Sequence, residues 1–231
     1  MITLHSATGD SLHWASAQVT SFHYLHSSPD PRSRPFAYVV HLDAEPVGCL
    51  FFGRTQAASC YQGGLTYGSP ADVAAGRAAF DRWEVLSLSR VWFSPDVQPG
   101  GRLHSAEHLP GFTDRRGLFR STLASAAIRM ALGRVGFDYL AAHPPVFVEQ
   151  PYEIRACLSY SDTRLHRGTI YRASGFWPAR TNGNGIETWW TNNVAGLTAD
   201  QDRTIRDLAA TCPRSRRVRD ERRVLFGEMA R

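Results

Sequence analysis

The sequence contains no lysine: all 26 of its basic residues are arginine. A phosphate-binding P-loop needs a lysine, and so do enzymes that form a Schiff base with pyridoxal phosphate or a carbonyl substrate. Those enzyme classes are therefore excluded. Arginine stays protonated at neutral pH and is a poor general base, whereas its planar guanidinium binds phosphate or carboxylate well. Any proton transfer must use His, Asp, Glu, Tyr, Cys or the α-amine.

Long apolar runs and closely spaced cysteines are also missing. No uninterrupted apolar run approaches the roughly 18 residues that a membrane span requires, and the N-terminus has no basic-then-apolar signal pattern. The four cysteines form no CxxC pair and are far apart: Cys49, Cys60, Cys157 and Cys212. We therefore expect a cytosolic protein with reduced, buried thiols and no membrane partner.

The positive charge is concentrated at the C-terminus. The formal net charge is +5, and residues 214–231 carry seven arginines and three acidic residues, a net charge of +4 that leaves +1 for residues 1–213. Two interpretations of this tail stay open. It is either a solvated end or an arm that contacts the phosphates of a nucleic acid.

The apolar pattern predicts a mixed α/β fold. The 231 residues suit one domain with an elaboration, which we divide into a catalytic domain, 1–195, and a C-terminal helix with an Arg-rich tail, 196–231. Runs rich in β-branched and aromatic residues predict strands at 36–42, 47–52, 83–93, 154–160, 176–177 and 187–191. Helical spacing of apolar residues predicts helices at 10–19, 118–135, 168–174 and 198–210.

The densest cluster of polar and aromatic residues lies between Ser159 and Phe176. We expect a buried strand to break at Ser159 and to expose Asp162 and His166 at its carboxyl end, the sheet edge at which α/β proteins bind ligands. A carboxylate, an imidazole and three arginines there form a candidate site. The alternative is structural: Asp162 caps the next helix and His166 is an ordinary surface residue.

Several motifs in this region resemble known families. Residues Tyr171 to Phe176 resemble the Tyr-x-x-x-Gly-Phe closing motif of GNAT-fold acyltransferases. The longer pattern from Ser159 to Ala173 resembles phage Mom-type DNA modification proteins. Two further segments are similar to the same family: the strand from Glu84 to Trp92, with Arg90, and the dipeptide His23-Tyr24.

This resemblance implies a GNAT-like fold, a centrally splayed β-sheet flanked by helices. It also implies an enzyme that transfers a methylcarbamoyl group to adenine N6 in double-stranded phage DNA and so protects that DNA from host restriction endonucleases. The implied location is the host cytoplasm. Acetyl-CoA or a related acyl donor is expected as the cosubstrate, and a bound iron is implied as well.

The resemblance also selects site residues. It implies catalytic roles for Asp162, Tyr171, Arg90 and Tyr24, and a metal-binding role for His23, Tyr24 and Asp162. Asp162 would accept or orient the amine proton, and Tyr171 would protonate a departing thiolate. For Arg90, an ion pair with Glu84 or Asp162 is the structural alternative. Where GNAT proteins bind the pyrophosphate of CoA, this chain offers a single glycine among arginines, so the predicted donor-binding residues are Arg116, Gly117, Arg120 and Ser121.

Two other functions remain open from the sequence. One is an ordinary GNAT N-acetyltransferase that acts on a small amine or a protein, and the other is a nucleic-acid-binding protein that keeps the fold without catalysis. For DNA binding, Trp189-Trp190 is the best candidate for a stacking platform, since adjacent strand residues face opposite ways and one of them would be exposed. A homodimer is a further expectation.

Overall fold

The computed structural model describes residues 1–55, 84–105, 107–112, 116, 121–145 and 153–211. Its strands are β1 (Ile2–Ser6), β2 (Phe36–Leu42), β3 (Glu45–Arg54), β4 (Val85–Phe93), β5 (Ala156–Asp162), β6 (Trp177–Thr181) and β7 (Ile186–Thr191). Its α-helices are α1 (Gly9–Phe22), α2 (Leu123–Leu132), α3 (Val135–Ala142), α4 (Thr169–Ala173) and α5 (Ala199–Thr211). Single 3-10 turns occur at Pro31–Ser33, Pro95–Val97 and Pro110–Phe112.

The seven strands form one sheet in the order β1-β2-β3-β4-β5-β7-β6. Neighbouring strands are antiparallel except β4 and β5, which are parallel. The β4–β5 ladder has four pairs, from Val85 with Ala156 to Leu88 with Ser159. Beyond those pairs β4 stays with β3 and β5 stays with β7, so the two strands separate. We call this gap the splay; it confirms the centrally splayed, mixed α/β sheet predicted above.

A β-bulge on β4 lies at the start of the splay. Arg90 pairs with Phe51 and Leu88 pairs with Phe52, so Ser89 has no opposite residue on β3. A bulge interrupts the alternation of side chains along a strand. Leu88 and Val91 therefore contact the same core, although three positions separate them, and both Ser89 and Arg90 line a cleft on the other face.

One face of the sheet carries the main hydrophobic core. Helix α2 packs there through a buried stripe that includes Leu123, Ala127, Ile128 and Ala131. Its start is fixed by Thr122, whose hydroxyl accepts the N–H of Ser125 while the Ser125 hydroxyl accepts the N–H of Thr122. This reciprocal pair satisfies two backbone donors that a helix otherwise leaves free.

The single helix predicted for 118–135 is wrong at its C-terminal end. Helix α2 stops at Leu132, Arg134 adopts a non-helical conformation, and the separate helix α3 begins at Val135. Apolar residues continue on the same side through the break, so the hydrophobic pattern alone does not reveal it. Residues 118–120 of the predicted helix lie outside the described residues.

The opposite face carries α1 and two small, separate apolar clusters. One contains Ala15 and Val19 of α1 against β2 and β3, and the other contains Trp190 against Val85 and Leu158. The polar residues of the cleft lie between β3 and β5 on this face. The cleft therefore lies on the side of the sheet with the smaller core.

The remaining sequence predictions were partly confirmed. The β2–β3 hairpin, α1 and α5 are present with longer or shifted ends, and Thr198 and Gln201 cap α5 reciprocally as their spacing predicted. Strand β1 was not predicted. Cys49 and Cys157 are buried free thiols, while Cys60, Cys212 and the Arg-rich tail lie outside the described residues. None of the described helices is both long enough and apolar enough to cross a membrane.

Candidate functional site

The candidate site is an open cleft beside the splay, with a volume of about 310 Å³. The segment between α1 and β2 forms one wall, and residues of β3, β4 and β5 form the floor. Its lining residues come from four separate stretches of the chain: Tyr24, Leu25, Pro29, Asp30, Ser33, Gly53, Arg54, Thr55, Ser87, Ser89, Arg90 and Tyr160.

Arg90 connects the floor of the cleft to its wall. Its Nε donates to the Ser27 carbonyl at 3.0 Å and its Nη2 to the Ser27 hydroxyl at 3.1 Å, while Nη1 donates to the Ser89 carbonyl at 2.7 Å. Neither ion pair suggested by the sequence is formed, since Glu84 pairs with Arg155 and Asp162 pairs with Arg164. Burial lowers the pKa of Arg90, and the guanidinium stays charged. Its positive charge is thus available to the cleft.

His23 and Tyr24 follow directly on α1 and contact each other, with ring centroids 4.4 Å apart. Burial lowers the pKa of His23 to about 4, and the positive charge of Arg90 acts in the same direction. The imidazole is therefore neutral at pH 7. Burial raises the pKa of Tyr24, so its phenol is protonated. The dipeptide brings two neutral rings next to the Arg90 guanidinium.

Asp162 is the last residue of β5 and pairs with Ile186 of β7, so the predicted strand break at Ser159 is wrong. The pairing with β7 carries the strand three residues further and buries the carboxylate. Both carboxylate oxygens accept hydrogen bonds from Arg164, through its Nε at 2.9 and 3.2 Å and its Nη2 at 2.5 Å. These bonds lower the pKa of Asp162 to about 2. Asp162 closes a turn onto Arg164 and does not cap α4.

His166 contacts the dipeptide from the other side of the cleft. Its backbone N–H donates to the Asp162 carbonyl at 2.8 Å, which closes the turn after β5. Its ring lies 5.3 Å from that of Tyr24, centroid to centroid. The sequence placed His166 near Asp162, but only the fold brings it to Tyr24, which is 142 positions earlier in the chain.

Tyr171 lies on α4 and points back at β5. Its ring stacks on Trp189 at 5.6 Å, and its hydroxyl donates to the Tyr160 carbonyl over a long 3.5 Å. Burial raises the pKa of Tyr171 to about 12. Gly168, with a φ of +65°, begins this helix, and a Cβ there would lie 1.8 Å from the Trp189 ring. Only glycine allows this close approach, which sets the position of Tyr171.

The expectation of an exposed tryptophan at 189–190 is wrong. Both side chains are fully buried, Trp189 in the main core and Trp190 in the small cluster on the other face. They face opposite ways, as predicted, but β7 lies between β5 and β6 and both of its faces are covered. Trp189 also donates its indole N–H to the Ser161 hydroxyl at 2.8 Å.

The predicted iron ligands do not fit a metal site. The Nδ1 of His23 accepts the N–H of Leu25 at 3.2 Å, so the proton of the neutral ring lies on Nε2 and neither nitrogen has a free lone pair. Both oxygens of Asp162 are occupied by Arg164. Across the described ranges, no three His, Cys, Asp or Glu side chains are placed to hold a metal ion. The chemistry proposed below uses no iron.

The predicted donor-binding residues precede α2. Arg116 is exposed and Ser121 is half-buried, while Gly117 and Arg120 lie outside the described residues. The first turn of α2 lies beside α4, because the Ser174 hydroxyl donates to the Ser125 carbonyl at 3.3 Å. Since α4 follows the carboxyl end of β5, the N-terminus of α2 lies at the same end of the sheet as the splay. The role of these four residues stays a prediction.

Comparisons with known proteins give structural likeness only. No protein-family profile and no curated protein matches the sequence. A GNAT-family acetyltransferase from Bacillus cereus is similar in structure, with a TM-score of 0.41, 14% identity, and coverage of 83% of this chain and 97% of that one. The aminoglycoside acetyltransferase AAC(6')-Ib, in complex with coenzyme A and kanamycin, is similar with a TM-score of 0.44 and 12% identity. The match covers 83% of this chain and 95% of that one. The GNAT domain of S. lividans PAT is similar with a TM-score of 0.39 and 10% identity, and the match covers 84% of this chain and 89% of that one.

Proposed function

We propose that this protein is an acyltransferase that moves an acyl group from a thioester donor to an amine bound in the cleft. One observation carries the proposal. Residues from three distant parts of the chain, at positions 23–24, 90 and 162–171, meet where the two parallel strands separate. A polar cluster of this kind at a strand opening is a site for binding and chemistry rather than a packing arrangement.

The splay suits a donor that carries amide groups. Past Leu88 and Ser159, the facing edges of β4 and β5 no longer bond to each other. A pantetheine arm has amides that can bond to such strand edges as an added strand does. Its diphosphate would lie toward the N-terminus of α2, with Arg116 nearby in the chain, since helix N-termini bind phosphate.

Tyr171 would protonate the departing thiolate. With a pKa raised to about 12, the phenol keeps its proton at neutral pH, and its hydroxyl lies against the β5 side of the splay. In the step we propose, the amine nitrogen bonds to the thioester carbonyl carbon and the C–S bond breaks. The sulfur takes the Tyr171 proton, which solvent later replaces.

The proton of the attacking amine has two candidate acceptors. Asp162 was expected to be the base, but a carboxylate with a pKa of about 2 and with both oxygens bonded to Arg164 is a weak one. Its negative charge better suits orientation of the amine. His166 carries an imidazole, a side chain that can accept a proton, and its ring lies 5.3 Å from that of Tyr24, centroid to centroid. We assign proton acceptance to His166.

The finer proposal is that the amine is N6 of adenine in phage DNA and that the group is methylcarbamoyl. What supports it is that Tyr24 and Arg90, two of the residues selected by the motif resemblance, line the cleft. The ring of Tyr24 also lies 5.3 Å from that of His166, in the segment that contains Asp162 and Tyr171. A base in a duplex must leave the stack to reach such a cleft. Arg90 has a guanidinium without a carboxylate partner among the described residues and would bind a phosphate or a carbonyl of the substrate.

Mass spectrometry of nucleosides from DNA of co-expressing cells tests both levels. We expect a modified deoxyadenosine, whose mass distinguishes an acetyl from a methylcarbamoyl group, and we expect none with Tyr171→Phe or Asp162→Asn. Unmodified DNA together with acylation of small amines in vitro would leave only the general acyltransferase. If both variants keep the biological effect, the protein binds nucleic acid without catalysis.

A further inference from the structure

Half of the exposed large apolar residues in the described part of the chain lie on two segments that meet through Tyr24 and His166. Four residues there have unusually open side chains: Phe22 (66% exposed), Leu165 (61%), Leu25 (47%) and Tyr24 (37%). The other exposed large apolar residues of the described chain are scattered: Met1, Leu12, Met130 and Leu208. We call Phe22, Tyr24, Leu25 and Leu165 the aromatic rim. A cluster of exposed apolar residues on a folded protein is a candidate binding surface.

The two segments of the rim approach each other at one contact, and the rim is partly rigid. The ring of Tyr24 lies 5.3 Å from that of His166, centroid to centroid, and Leu165 precedes His166 in the chain. Phe22 stacks on Trp92 of β4, with centroids 5.8 Å apart and an angle of 26° between the rings. Trp92 is packed in turn against Trp14. The ring of Phe22 therefore has one face fixed on the protein while 66% of the side chain remains open.

Positive charge surrounds the rim. Residues 162–172 contain three arginines and one aspartate, a net charge of +2. Asp162 is neutralised by Arg164, whose side chain is 73% exposed. Arg167 is exposed and forms no ion pair with any residue that the structure describes. Arg167 thus places unpaired positive charge two positions from the exposed Leu165.

This combination favours one kind of partner. Unpaired nucleotides have both a flat base that stacks on aromatic rings and a phosphate that attracts arginine. The buried Trp189 and Trp190 cannot provide this stacking, whereas Phe22 can.

We propose that the aromatic rim binds the unpaired nucleotides that flank the target base, with a base on Phe22 and a phosphate on Arg167. The inference rests on the proposed function, in which the acceptor is a DNA base taken out of its stack. It adds two points to that function. The aromatic rim is the part of the surface that holds the DNA strand, and the DNA is bound in its unpaired form.

Fluorescence anisotropy of the full chain with a labelled single-stranded oligodeoxynucleotide tests the rim. We expect Phe22→Ala to raise Kd about tenfold, since one base–aromatic stack is lost, and Phe22→Trp to restore binding. Leu208→Ala on α5 is the matched control, an exposed apolar residue far along the chain, and it should leave Kd unchanged. Equal behaviour of the Phe22→Ala and Leu208→Ala variants would overturn the proposal.

The salt dependence separates stacking from charge. Arg167→Ala should reduce the slope of log K against log salt by about 0.7, the value for one phosphate of a single strand, while Phe22→Ala should leave the slope unchanged. Arg203→Ala on α5 is the control for charge, and it should change neither Kd nor the slope of log K against log salt. Binding to anionic phospholipid vesicles but not to the oligodeoxynucleotide would identify a membrane surface instead and would refute the rim as a DNA site.

Failure of the rim and failure of the proposed function give different results. If cellular DNA carries the modification but Phe22→Ala changes neither Kd nor the modified fraction, the rim proposal fails and the enzyme proposal stands. If DNA is never modified but Phe22→Ala weakens oligodeoxynucleotide binding tenfold, the rim proposal stands and the protein is a binding protein.

Discussion

The two faces of the sheet differ in the side chains that cover them. On one face, α2, α3 and α5 cover a single core that runs from Leu4 on β1 to Trp189 on β7. On the other face, two small apolar clusters flank a cleft lined by serines, arginines and tyrosines. The two faces therefore have different roles. The first face supplies most of the free energy of folding, and the second can carry polar groups because the first compensates for them.

The bulge at Ser89 determines which side chains of β4 face the main core and which face the cleft. Without it, strict alternation would place Arg90 on the same face as Leu86 and Leu88, inside the main core. The extra residue turns Arg90 toward the cleft and returns Val91 to the core. One inserted position thus lets a single strand serve both faces.

The largest effect should come from the core face. Ile128→Ala removes a fully buried side chain from the α2 stripe and should lower the free energy of unfolding by about 3 kcal/mol, measured by urea denaturation. Activity per folded molecule should be unchanged. Met130→Ala, an exposed residue of the same helix, is the control and should stay within about 0.5 kcal/mol of the parent. A small effect of Ile128→Ala would contradict the unequal division between the faces.

The cleft face should show the reverse behaviour. Arg90→Lys loses the planar fork that bonds Ser27 and Ser89 together, so the wall of the cleft should shift and kcat/KM for DNA modification should fall about a hundredfold. The free energy of unfolding should change by only about 1 kcal/mol. A variant that retains activity but loses stability would make Arg90 a structural residue.

His23 should make the stability depend on pH. Its pKa is about 4 in the folded protein against 6.5 in the unfolded chain, so the unfolded chain binds a proton first as the pH falls. Stability is therefore full above pH 6.5 and decreases toward pH 4, by about 1 kcal/mol for a half-exposed group. His23→Phe should flatten this part of the curve in denaturation at a series of pH values. An unchanged curve would count against burial of the neutral ring.

The smallest effect should come from an ion pair outside both faces. Asp202 and Arg206 are four residues apart on α5 and bond at 2.8 Å, with both side chains well exposed. Replacing either by Ala should cost about 0.3–0.5 kcal/mol in urea denaturation, and less at high salt. A cost above about 1 kcal/mol would show that α5 contributes to the core face through more than its apolar residues.

Much of the fold followed from local patterns. The β2–β3 hairpin and the cap at Thr198 depend on residues close in sequence, which is why their positions could be predicted. The length of β5 depends on β7, some 25 to 35 residues later, and the break after Leu132 depends on backbone conformation at Arg134. Neither leaves a local signal in the apolar pattern.

The sequence predicted candidate residues for the site but not the contacts that these residues make. Motif resemblance selected Tyr24, Arg90, Asp162 and Tyr171; the fold places Tyr24 and Arg90 in the cleft and brings Tyr24 to His166, in the segment of the other two. The Arg164 partner of Asp162 is only two residues away, yet the sequence could not show that it would take both oxygens. The contact of His166 with Tyr24 needed the fold, and so did the bulge at Ser89.

The short β4–β5 ladder also bears on the order of folding. It joins two half-sheets, β1–β4 and β5–β7, through four pairs whose partners lie about 70 residues apart in the chain. Contacts this distant in sequence form late, because a long loop must close before they stabilise anything. We expect amide hydrogens in this ladder to exchange faster than those of the β2–β3 hairpin, through an opening that leaves each half-sheet intact. The seam proposed to bind the donor is thus also the place where we expect the native protein to open first.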